Sequence, residues 1–86
     1  QQLLIIQGKL EAQNGIETTV DKHFNGKAHR TIKNVTATSC ELVYRVKEDT
    51  LKKADEKQKV DIAQRLMKVE GVIRVNLVEQ QDDISR

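Results

Sequence analysis

Aromatic side chains make up only 2% of this chain, and Tyr44 is the one aromatic residue on a predicted strand. Small α+β domains that bind RNA stack its bases on rings carried by central strands. Tyr44 falls on the side expected to face helices, so that way of working is excluded. Cysteine is equally scarce. Cys40 is alone, which rules out an internal disulfide and suits a reducing compartment, with the cytoplasm as the default. An excess of one charge is missing too. Fifteen basic residues stand against 13 acidic ones, a net charge of +2, the balance of a soluble domain and not of a nucleic-acid binder. Long hydrophobic runs are absent: Leu3 to Ile6 is four residues, against ~20 for a membrane-spanning helix. No signal-peptide pattern is present. The chain opens on Gln1 and its single methionine is Met67, so we expect a piece of a longer protein whose remainder holds the activity.

What is present is an alternation of strand and helix patterns. The 86 residues fit one domain, set at 1–79, with a small core and a polar, disordered tail over 80–86. Leu3-Leu4-Ile5-Ile6 reads as a strand covered on both faces, in the middle of a sheet. Asn14 followed by Glu17 has the spacing of a capping box, which starts a helix about ten residues long with Ile16, Val20 and Phe24 on one stripe. Asn25-Gly26 supplies its left-handed stop.

The composition of Arg30 to Thr38 suits a strand. Its Ile32 and Val35 take opposite faces unless a bulge intervenes near Asn34. Leu42, Tyr44 and Val46 alternate with Val43, Arg45 and Lys47, the period of a strand with one core face. Tyr44 and Cys40 read as core residues, the tyrosine with its hydroxyl at the edge. Lys47 to Lys59 holds nine charges in 13 residues and reads as a solvated loop and helix start. In the second helix Ile62, Leu66 and Val69, with Ala63 and Met67 beside them, form the core face, while Asp61, Gln64, Arg65 and Lys68 face water. Gly71 ends it. Ile73, Val75 and Leu77 then make the inner face of the last strand.

Two helical stripes on one side of four strands predict an α+β, ferredoxin-like or ACT-like βαββαβ two-layer sandwich with a four-stranded antiparallel sheet. Right-handed crossovers from strand one to strand three and from strand two to strand four are expected, with strands one and three central. The sheet face without helices then carries one alternate pair from the first strand, set as Leu4 and Ile6, together with Val43 and either Val72 or Val78. Such a face calls for a partner. The expected partners are a second copy and the rest of a parent chain, with no nucleic acid.

Glu41-Leu42-Val43-Tyr44-Arg45-Val46-Lys47 and the run from Leu66 through Val69-Glu70-Gly71-Val72 to Val78 resemble the cytoplasmic C-terminal domain of bacterial multi-pass membrane proteins containing a domain of unknown function. The ACT-like tails of MgtC-like membrane proteins share the layout. The resemblance implies a noncatalytic regulatory or oligomerisation domain beneath a membrane-embedded parent, and it brings no catalytic residues.

The chemistry-bearing side chains suggest no cofactor. His23, His29 and Cys40 are the only soft metal ligands. A hairpin near Thr38-Ser39 would set His29 opposite Glu48, more than roughly 20 Å along the strand from Cys40, so no metal site is expected and both histidines read as surface residues. Ile6-Gln7-Gly8 is similar to the start of the acylphosphatase phosphate loop, with Asn34 on the second strand. That loop needs an arginine, and Lys9-Leu10-Glu11-Ala12 offers a repelling carboxylate instead. The last alternative is ACT-like sensing of a small ligand at Gly8, Asn14, Gly15 and Ile16, with Gly8 allowing close approach and the amides of Gly15 and Ile16 as donors at a helix start.

Overall fold

The computed structural model describes residues 1–80. The tail assigned to 80–86 therefore lies outside the described residues from position 81 onward. Strand β1 (Gln2–Lys9) leads through a 3-10 turn (Leu10–Ala12) into α1 (Gln13–Phe24). Then come β2 (His29–Val35), β3 (Ser39–Val46), α2 (Glu48–Gln58), α3 (Ile62–Met67) and β4 (Val72–Glu79). The sheet order is β2-β3-β1-β4 and every neighbouring pair is antiparallel. This is the α+β, ferredoxin-like or ACT-like sandwich, with β1 and β3 central. The helical crossovers link β1 to β2 and β3 to β4, not strand one to three and two to four. A helix spans the distance between parallel strands separated by one neighbour.

The core lies between sheet and helices. Leu4 and Ile6 from β1, and Leu42, Tyr44 and Val46 from β3, meet Ile16, Val20 and Phe24 of α1 together with Ile62 and Leu66 of α3. Complete burial of an aliphatic side chain of this size contributes about 1.5–3 kcal/mol. The paired row Leu4–Tyr44 and Ile6–Leu42 is thus the main adhesive of the two layers. Asn25 (φ 53°) and Gly26 (φ 77°) end α1 in the left-handed region as expected.

Several expectations give way. Asn14 is not a cap: it is exposed inside α1, and the chain enters that helix through the 3-10 turn, with Ala12 at the N-cap and no side-chain capping bond. Lys47 to Lys59 is not a loop. It forms a second full helix, α2, because Leu51 and Ala54 give it a narrow buried stripe that the charge density hides in the sequence. Lys59 (φ 60°) then breaks the chain and Asp61 caps a separate short α3 by accepting the Gln64 amide at 2.8 Å. Met67 is 51% exposed, not in the core, since α3 ends there and presents it sideways.

Both edge strands are irregular. On β2 the register shifts between Arg30 and Ile32, so the bulge sits at Thr31 and not at Asn34. Ile32 pairs with Val43 on the helix-free face and Val35 with the buried Cys40. On β4, Gly8 pairs with Val72 while Gln7 pairs with Arg74, leaving Ile73 as the extra residue. That bulge removes Ile73 from the inner row and leaves it 62% exposed; Val72, Val75 and Leu77 share the helix side instead. Val72 and Val75 pack on the core, whereas Leu77 stays 43% exposed.

Candidate functional site

The residues proposed for a ligand do come together, but this chain fills the space between them. A Cβ on Gly8 would stand 2.8 Å from the carbonyl oxygen of Gly71 and 3.3 Å from Cβ of Ala12. The same Gly71 carbonyl accepts the Lys9 amide at 2.8 Å. On Gly15 an added Cβ would lie 2.7 Å from Val69 Cγ1. Gly71 itself has φ +92° and rests against Ala12. The glycines therefore let the end of β1, the start of α1 and the α3–β4 turn interlock. Ile16 is fully buried and only Asn14 faces solvent.

The interface residues need a similar correction. Leu4 and Ile6 point at the helices and are fully buried. Side chains alternate along a strand, so Leu3 and Ile5 occupy the helix-free face. Val43 does lie on that face, paired with Ile5 and Ile32, but these neighbours leave it 6% exposed.

A groove of about 450 Å³ lies between α1 and β2, lined by Glu17, Asp21, Gly26, Arg30 and Tyr44 among others. β2 is an edge strand that the helices do not cover, which leaves this gap beside α1. Glu17 accepts from Arg30 Nη1 at 2.9 Å and meets Lys33 Nζ at 3.4 Å, so two cations from β2 hold one carboxylate from α1. Burial, and then the charge of Glu17, push the Tyr44 phenol above its usual 10.0. Its hydroxyl is thus a donor at neutral pH. Burial and Glu17 push the Cys40 thiol above its usual 9.0 in the same way, so it keeps its proton at neutral pH.

His23 is not a surface residue. It is fully buried in its side chain, with Nε2 2.8 Å from Asp55 Oδ1 and Nδ1 3.2 Å from Arg65 Nη1. A guanidinium only donates, so Nδ1 accepts and the ring proton sits on Nε2, donated to Asp55. Asp55 Oδ1 also accepts the Ile62 amide at 3.2 Å, and Arg65 donates to Gln58 at 3.1 Å. The cluster ties the three helices together. Its residues lie far apart in sequence, and no local pattern marked them: Arg65, expected to face water, turns to His23 and Gln58 instead. Among the described residues no set of three or more histidine, cysteine, aspartate or glutamate side chains is arranged to hold a metal ion. No described helix is long and apolar enough to cross a membrane.

The fold defines the class of domain: a βαββαβ sandwich of the ferredoxin-like, ACT-like kind. Among solved structures it is similar to the crystal structure of the ACT domain from the GTP pyrophosphokinase of Chlorobium tepidum, with a TM-score of 0.54 and 19% identity over 90% of this chain and 95% of that one. At that identity the likeness is one of fold. No family model matches the sequence, and no curated protein matches it significantly.

Proposed function

We propose that this chain is a noncatalytic regulatory domain that works by pairing with a second copy and reporting to the parent chain that carries it. The observation behind this reading is the amount of apolar side chain left in water on so small a domain. Ile32, Val35, Met67, Ile73, Leu77 and Val78 are 43–62% exposed, and five of the six stand on the two edge strands. Surfaces of this kind favour association. The likeness to an ACT domain supports a regulatory role. The resemblance of Glu41–Lys47 and Leu66–Val78 to membrane-protein tails supports a cytoplasmic position beneath a bacterial membrane-embedded parent. Sedimentation velocity over a wide concentration range tests the pairing: a monomer–dimer equilibrium is expected, and a monomer at every concentration removes the reading.

A second reading has one specific observation in its favour. The α1–β2 groove brings Asp21, Tyr44 and the Arg30–Glu17 ion pair into one cleft, a set of both charge signs that suits a small zwitterion such as an amino acid. Ligand sensing would then occur here and not at Gly8 and Gly15. Thermal-shift titration with the free amino acids tests it. A rise in melting temperature at micromolar ligand that Arg30→Ala abolishes supports sensing, and no shift with any of them removes it.

A further inference from the structure

The two edges of the sheet are not alike. β2 carries His29, Arg30 and Lys33 and a bulge at Thr31, and Glu17 of α1 reaches over to its cations. Charge and irregularity of this kind keep an edge from pairing. β4 above its own bulge reads Arg74-Val75-Asn76-Leu77-Val78, with no lysine, and the chain has no proline anywhere. Among the described residues no strand covers its outer side.

The geometry points to β4 as the pairing edge, joined antiparallel to β4 of a second copy with the two-fold axis at Asn76. The inference rests on the pairing reading above and names its surface and register. Gln80 donates its amide to Gln1 at 2.8 Å, so Gln80, and by alternation Val78 and Asn76, bond toward β1. The amides and carbonyls of Val75 and Leu77 therefore face the open edge. Antiparallel partners must share a sheet face, which admits only registers centred on a residue. A centre at Arg74 opposes two like charges. One at Val75 draws the bulged Ile73 into the ladder, and one at Leu77 sets the apolar Val75 against the partner's Glu79. Centring at Asn76 opposes Val75 with the partner's Leu77 twice, through their free backbone groups, and sets Arg74 beside the partner's Val78 with no like charges opposed.

The helix side of this joint holds an open groove of about 580 Å³, in which Ala63, Met67 and Val75 form an apolar floor flanked by Gln64 and Lys68. The partner's Leu77, 43% exposed in the single chain, would enter it. One strand joint would thus cover Val75, Leu77 and Met67 together and extend the sheet from four strands to eight.

Oxidative cross-linking reads the register directly. Residues opposed without backbone bonds lie about 4.5 Å apart between Cα atoms, within disulfide reach. Asn76→Cys is expected to form a disulfide dimer under mild oxidant. Val78→Cys, displaced from its own copy by roughly 14 Å along the strand, is not. The unaltered chain is the control, because Cys40 is buried. Leu77→Lys, at a position 43% exposed in the single chain, is expected to weaken dimerisation at least tenfold while circular dichroism stays unchanged, and Ile32→Lys on β2 to leave it intact. A dimer that survives Leu77→Lys, or that cross-links as well through Val78→Cys as through Asn76→Cys, overturns this joint and leaves pairing through another surface. Sedimentation as monomer alone overturns the pairing reading and this joint with it.

Discussion

At the scale of single residues, glycine and histidine behave differently from what their chemistry first suggests. Gly8 and Gly15 look like ligand cradles, yet each is required by a contact inside the chain. Gly8→Ala would press a methyl against the Gly71 carbonyl, a backbone atom 2.8 Å away that is already bonded to Lys9. Gly15→Ala meets only the Val69 side chain and gains helix propensity, about 1 kcal/mol. Overpacking costs about 1–3 kcal/mol, so denaturant melts should find Gly8→Ala clearly the more harmful, and Val69→Ala should rescue Gly15→Ala but not Gly8→Ala. The histidine cluster gives a second expectation. Asp55→Ala strands the buried His23 Nε2 proton and the Ile62 amide, and a lost partner for a buried group costs about 1–3 kcal/mol. Equal stability of Asp55→Ala and the natural chain in urea melts would contradict that role.

Among the elements, helix α2 shows how far charge density can mislead. Its sequence, Glu48-Asp49-Thr50-Leu51-Lys52-Lys53-Ala54-Asp55-Glu56-Lys57-Gln58, has two buried residues, Leu51 and Ala54, at helical spacing. Glu48 and Asp49 in its first turn and Lys57 in its last complement the helix dipole. Leu51→Ala should therefore destabilise the domain by about 2–3 kcal/mol, near the lower end for buried leucines because the site is at the core margin. Charge reversals at the exposed Lys52 or Glu56 should change it by less than about 0.5 kcal/mol. Chemical denaturation of the three variants decides between a docked helix and a solvated loop, in which Leu51→Ala would be silent.

For the whole molecule, alkaline pH is the informative perturbation. Tyr44 and Cys40 both titrate higher in the folded chain than their usual 10.0 and 9.0, chiefly through burial. Between the unfolded and folded values the folded state holds more protons, so stability is full below about pH 9 and falls as pH rises through the two windows. Tyr44→Phe should remove the upper part of that fall, measured as melting temperature against pH. A slope unchanged by Tyr44→Phe would place the alkaline sensitivity elsewhere.

Hydrophobic periodicity in the sequence determined the four strands and helix α1, the four-stranded antiparallel sheet, its central strands and the core rows Ile16/Val20/Phe24 and Leu42/Tyr44/Val46, because alternation and the 3.6-residue stripe are local signals, whereas charge density concealed α2. Which of Leu3 to Ile6 faces the helices was not legible. A continuous apolar run has no alternation to read, and only its register with β3 and β4 set Leu4 and Ile6 inward. The bulges at Thr31 and Ile73, the burial of His23 against Asp55 and Arg65, and the filling of the Gly8–Gly15 gap by Gly71 and Val69 were likewise decided by tertiary structure. Each depends on contacts between residues distant along the chain, and no local pattern encodes which partner arrives.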